Sequence, residues 1–93
     1  MTSTPTVSTT KLSFITPGIL RKGDSGQDVE FLQQLLNNAL YPNLKDENER
    51  LVIDGIFGDK TEQKVRIFQG LGNDGIVRSA TWRALGVYAN VLP

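Results

Sequence analysis

The sequence predicts an all-α fold: a compact three-helix bundle with ordered Asp-Gly loops and an internal turn-helix repeat. Three observations carry that expectation. A length of 93 residues fits one domain around one core. A leucine-rich stretch from about Gly26 to Leu40 repeats its apolar residues at helical spacing. Two segments, DGIFGDKTEQKV at 54–65 and DGIVRSATWRAL at 74–85, are near-copies of one turn-to-helix unit.

Taken in order, residues 1–11 are dominated by Ser, Thr and Pro and are expected to form a flexible lead-in, since so little apolar surface does not offset the entropy of ordering it. Residues 12–93 are assigned to one helical domain. Leu12, Phe14 and Ile15 begin its apolar material, and Pro17-Gly18 marks a turn. In the first helix Val29, Leu32, Leu36 and Leu40 form a stripe that Phe31, Leu35 and Ala39 widen, while Glu30, Gln33, Gln34 and Asn37 are placed on the polar side. Asp24 and Ser25 are its expected caps, Asp28 favours the dipole from the first turn, and Pro42 ends it.

The run KDENER at 45–50 is expected to be a solvated loop. A second helix is expected from about Lys60 to Gly70, opened by an Asp59/Glu62 capping-box pair, with Thr61, Val65 and Phe68 on one face. A third starts near Ser79, buries Trp82 and Leu85, and ends at Gly86. Val87, Tyr88, Val91 and Leu92 are expected to fold back over the core. Trp82, Phe57 and Phe68 are assigned to packing, because aromatics of this size dominate small cores.

Each copy of the repeat has a legible physical role. In Asp54-Gly55 and Asp74-Gly75 the carboxylate bonds nearby amides while the glycine takes a positive φ. Ile56 and Phe57, like Ile76 and Val77, are expected to anchor the loop in the core. Thr61 and Thr81 stand seven residues after each aspartate, and each is expected to bond back to it and staple turn to helix. A calcium loop does not fit. Its third and fifth positions would be Ile56 and Gly58, or Ile76 and Arg78, and none of these supplies a side-chain oxygen. No metal site is expected.

Composition narrows the function classes. The chain has neither cysteine nor histidine, so disulfides, thiolate sites, histidine-based triads and the usual zinc sites are excluded. Ten basic and ten acidic residues cancel, with no basic stripe for nucleic acid, and no apolar run approaches a membrane span. The first ten residues lack the basic start and apolar run of a secretory signal. A carboxylate-based hydrolase would need two carboxyls facing across a cleft, about 5–9.5 Å apart in glycosidases. Asp54, Asp59 and Asp74 read instead as turn and cap residues, so no catalytic residue and no cofactor are expected.

Three segments in order, LRKGDSGQDVEFLQQLLN (20–37), DGIFGDKTEQKVRIFQ (54–69) and DGIVRSATWRAL (74–85), resemble the peptidoglycan-binding domain found appended to bacterial cell-wall hydrolases. The chain departs from the family pattern at Lys64 and at Arg78-Ser79, and its spacer between Gln69 and Asp74 is short. The resemblance implies a three-helix fold and non-catalytic recognition of wall glycan or stem peptide. It also implies a place in the cell envelope, periplasm or wall, with a cell-wall hydrolase as attached or associated partner. The alternative it leaves is a protein–protein adaptor or pro-domain-like regulatory module on the same fold.

Peptidoglycan offers hydroxyls, amides and carboxylates, so a binder wants amide and guanidinium donors beside an aromatic face, in a shallow groove. Arg66 and Gln69 on the second helix, Asn73 and Arg78 around the second Asp-Gly loop, and Tyr41 at the end of the first helix are the candidate ligand-binding residues.

Overall fold

The computed structural model describes residues 17–86; the expected lead-in and the expected C-terminal return of 87–93 lie outside the described residues. Among these described residues, three α-helices, α1 (Gln27–Leu40), α2 (Asp59–Gln69) and α3 (Ser79–Ala84), are joined by loops, with a 3₁₀ helix at Leu44–Glu49 between α1 and α2. The fold is mostly helical. Isolated antiparallel bridges, Leu20 with Val77 and Ser25 with Ile56, supply its extended pairing.

α1 forms because its apolar residues recur three and four apart, and its stripe is the centre of the core. Val29, Leu32 and Leu36 are wholly enclosed, together with Val65 of α2, Val77 and Trp82. Enclosing each such side chain stabilises the fold by about 1.5–3 kcal/mol. Leu20, Leu51 and Phe57 complete the cluster, with Leu35, Leu40, Phe68 and Leu85 packed around it. Trp82 donates its indole N–H to the Gly18 carbonyl at 3.0 Å, which satisfies the one polar atom of an otherwise apolar side chain.

Several local expectations need correction. Phe31 does not widen the buried stripe. It is 41% exposed, and its ring stacks on Trp82 with centroids 5.9 Å apart. Ala39 is also exposed. Gln33 and Asn37, placed on the polar face by amphipathic patterning, are buried, at 1% and 4% exposure. The reason is that each is fully hydrogen-bonded to loop backbone, which removes the penalty that normally keeps amides outside.

Asp24 and Ser25 do not cap α1. Its N-cap is Gly26, and the Asp24 carboxylate accepts instead from the Arg21 N–H at 2.9 Å, closing a turn at Gly23. Asp59 does not cap α2 either. It is already the first helical residue and pairs with Lys22. KDENER is not an open loop but most of the 3₁₀ helix, started by the Asn43 side chain accepting from the Lys45 N–H, and it buries nothing. Ile56 does not anchor its loop, since it is 58% exposed; Phe57 and Val77 are the buried members of their pairs.

The segment 20–26, which turns at Gly23, holds both Asp-Gly loops. Leu20 and Val77 exchange two backbone bonds at 3.1 and 2.8 Å. Gly23 N–H donates to Phe57 O, Phe57 N–H to Asp24 O, and Gly26 N–H to Gly55 O, each at 2.9 Å. One piece of chain thereby lies against both copies of the repeat.

Candidate functional site

The two Asp-Gly corners have the same inner geometry. Gly55 and Gly75 adopt φ of 75° and 78°, the left-handed region glycine tolerates. Asp54 Oδ1 accepts from Ile56 N–H, and Asp74 Oδ1 from Ile76 N–H, both at 3.0 Å. The direct Asp–Thr bond expected from the sequence is replaced by a bridge. A glutamine amide from the preceding helix stands between loop and threonine.

At the first corner, Gln33 Nε2 donates to Asp54 Oδ1 at 3.0 Å and to Ile56 O and Thr61 Oγ1 at 3.1 Å. Its Oε1 accepts from Asp54 N–H at 3.0 Å and Gly55 N–H at 2.9 Å. At the second corner Gln69 Nε2 donates to Ile76 O at 2.9 Å and Thr81 Oγ1 at 3.1 Å, while its Oε1 accepts from Gly75 N–H at 3.1 Å. One helical turn beyond Gln33, Asn37 exchanges two bonds with the Leu51 backbone, at 3.0 and 2.7 Å, and pins the approach to the first corner.

These contacts shape the electrostatics. Asp54 is held below the ordinary carboxylate range, first by the Gln33 amide and then by the Ile56 N–H. Asp74 is also held low, first by the Ile76 N–H and then, more weakly, by the Arg78 guanidinium. Both corners are therefore anionic at neutral pH. Lys64 is pushed above the usual lysine value, chiefly because the Tyr41 hydroxyl accepts from its Nζ at 2.9 Å, with Glu49 3.5 Å away.

Of the five candidate ligand-binding residues, the fold brings Arg66, Gln69 and Asn73 together. Arg66 Nη1 donates to Asn73 O at 3.2 Å, and Asn73 Nδ2 closes the end of α2 by donating to Gln69 O at 2.9 Å and Gly70 O at 3.2 Å. The Gln69 amide is engaged inside the second corner. Arg78 pairs with Asp74 at 3.1 Å, and Tyr41 stands apart with Lys64 and Glu49.

Among the described residues, two of the grooves that border α2 carry charged side chains. One, of about 490 Å³, is lined by Gln63, Arg66, Ile67, Asn73 and the Gly70–Gly72 turn, with Leu71 fully exposed. The other, of about 310 Å³, lies along the first corner between Arg50–Asp54 and the start of α2. A smaller, more enclosed hollow of about 190 Å³ adjoins it, sharing Arg50, Leu51 and Lys60, and reaches Gln63.

Residues 25–85 match the family described as "Putative peptidoglycan binding domain". The chain belongs to that family. A solved structure of a peptidoglycan-binding protein from Clostridioides difficile, in complex with glutamine hydroxamate, is similar at 38% identity and a TM-score of 0.60. The similarity covers 80% of this chain and 42% of that one, so this chain spans less than half the length of that protein. Family membership supports binding to peptidoglycan and association with cell wall; among the described residues no helix is long and apolar enough to cross a membrane.

Within the matched segment, patterning missed how the corner glutamines bridge loop and helix: it placed Gln33 on the polar face and Gln69 against a ligand. A signal was present. Val29–Gln33 reads VEFLQ and Val65–Gln69 reads VRIFQ, so the repeat starts one helix earlier than its Asp-Gly motif and includes the amide that organises each loop. Arg50 and Lys60 carry no comparable signal, because a groove assembled from two distant segments leaves no spacing in the sequence.

Proposed function

We propose that the domain binds peptidoglycan without catalysis and holds an attached or associated protein, such as a wall hydrolase, against the cell wall. Family membership over residues 25–85 is the observation that carries this reading. The similar Clostridioides difficile protein, itself named for peptidoglycan binding, supports it. The groove on α2 fits the chemistry required. Ile67 and Leu71 offer apolar surface to the hydrocarbon faces of a sugar, while Arg66 and Asn73 place a guanidinium and an amide beside it. Arg66 and Asn73 are the ligand-facing members of the candidate set in this reading; Gln69 supports them from within, while Tyr41 and Arg78 do not line the groove.

Repetitive wall presents many copies of its ligand, so modest single-site affinity is enough to raise the local concentration of a tethered partner. Sedimentation with purified sacculi, against chitin and cellulose, tests the reading. Binding to sacculi alone, with no soluble fragments released, is the expected result. An Arg66→Ala/Leu71→Ala variant is expected to bind about tenfold more weakly while melting like the parent, since losing one charged hydrogen bond costs about 1.5–3 kcal/mol. Absence of sacculus binding in the parent, or release of wall fragments by it, would exclude the proposal.

A further inference from the structure

We infer that the groove at the first Asp-Gly corner is a second subsite, one that takes a carboxylate of the wall's stem peptide. The inference rests on the peptidoglycan-binding reading and names the part of the polymer that this groove recognises.

Two carboxylates at the groove are matched by cations: Asp59 pairs with Lys22, and Glu49 of the adjoining hollow faces Lys64. Asp54 stays anionic, its Oδ1 taken by the neutral Gln33 amide and the Ile56 N–H, so Arg50 and Lys60 leave the groove one positive charge in surplus. Its cations Arg50 and Lys60, which line both the 310 Å³ groove and the adjoining hollow, make no ion pair among the described residues. Arg50 also has a buried Nε without a hydrogen-bond partner. A guanidinium and an ammonium lining one groove form a complementary site for a carboxylate, and the guanidinium fork favours a planar, two-oxygen acceptor.

The groove's other exposed surface, Val52 and Ile56, is aliphatic, at 76% and 58% exposure. Among the described residues no aromatic ring lines it, so they give it no flat face on which a sugar stacks. An aliphatic wall with two cations that make no ion pair among the described residues suits a short peptide ending in a carboxylate better than a glycan strand. Position supports the same assignment. Gln63 lines both the hollow and the groove on α2, and the hollow shares Arg50, Leu51 and Lys60 with the first-corner groove, so the hollow links the two subsites along α2, as a strand and its peptide branch require.

The test uses the full chain on three ligands: intact sacculi, sacculi stripped of stem peptides by an amidase, and synthetic stem peptides with free or amidated carboxylates as competitors. The parent is expected to bind stripped glycan about tenfold more weakly than intact sacculi, the loss of one charge-assisted bond. Arg50→Gln/Lys60→Gln is expected to weaken binding to intact sacculi by a similar factor and to leave binding to stripped glycan unchanged. Free-carboxylate peptides should compete at lower concentration than their amides, and this arm uses the parent alone, so it holds even where the variant folds poorly. Equal binding to intact and stripped material with sacculus binding otherwise sound, or equal competition by acid and amide, would overturn the subsite and spare the broader function. Failure of the parent to bind sacculi at all would overturn both.

Discussion

The two Asp-Gly corners share a turn, a glycine conformation and a bridging glutamine, yet they differ in what the glutamine connects. Gln33 lies 21 residues before Asp54 and is 1% exposed, so the first corner is a long-range lock tying α1 to the loop and to α2. Gln69 precedes Asp74 by five residues and is only half-buried, so the second corner closes on itself. The same hydrogen-bond chemistry therefore serves tertiary structure in one place and local structure in the other. Burial decides how much each bond is worth, because an orphaned amide costs most where water does not reach it.

The largest difference between the corners should appear on truncating their glutamines. Gln33→Ala leaves the Asp54 and Gly55 N–H groups and Thr61 without their partner in a dry site, and opens a cavity beside the core. A loss of about 3–4 kcal/mol is expected, several times the ~1 kcal/mol expected for Gln69→Ala, whose loop water can reach. Urea unfolding of the two variants measures it. Equal losses would mean that the second corner is as closed as the first.

How much of this was readable in sequence follows the same division. Local features were legible: α1 begins one residue later than its apolar spacing implies, α2 and α3 lie where the Asp-Gly motifs put them, and Trp82 and Phe57 sit in the core. Features made by distant segments were not. Gln33 and Asn37 look like solvent residues on a helical wheel, because patterning ranks side chains by polarity and is blind to the loop backbone that satisfies them. Phe31 failed in the opposite sense; it covers Trp82 from outside instead of joining the stripe. Within the candidate site, Arg66, Gln69 and Asn73 were legible as neighbours since they are close in sequence, while the Arg50–Lys60 groove depends on the path of the chain between α1 and α2.

Glycine substitutions sharpen the comparison at an intermediate scale. A Cβ at Gly55 would stand 3.2 Å from the Gly26 carbonyl and 3.1 Å from Glu30 Cγ, whereas at Gly75 it would stand 2.9 Å from Glu62 Cγ and 3.1 Å from Arg66 Nε. The Gly75 neighbours are side chains that swing aside. The Gly26 carbonyl is backbone, fixed because the Gly26 N–H bonds the Gly55 carbonyl. Both alanine variants carry the left-handed cost of about 1–2 kcal/mol; Gly55→Ala is expected to lose about 1 kcal/mol more through backbone displacement. Thermal melts of the pair read the difference, and a Gly75→Ala variant that melted lower than Gly55→Ala would reverse the ranking of the corners.

The smallest effects expected are electrostatic, and they separate the corners by mechanism. Both aspartates have folded pKa values below their unfolded ones, so each contributes stability that is present above the ordinary carboxylate value and lost as pH falls through the folded one. Asp54 is held low by neutral donors, the Gln33 amide and a backbone N–H, whereas Asp74 owes part of its shift to the Arg78 guanidinium. Both partners of that ion pair are about half exposed, 52% each, and salt screens such a pair strongly. Raising salt to about 1 M, where the screening length falls to about 3 Å, should therefore move the Asp74 titration toward the ordinary value and leave Asp54 nearly in place. Arg78→Gln should reproduce the salt effect at Asp74 with no change at Asp54 and only a marginal change in melting at neutral pH. Carboxyl NMR titrations at low and high salt resolve the two residues. A salt shift at Asp54 as large as that at Asp74 would show that a charged partner, rather than the Gln33 bridge, holds the first corner's carboxylate.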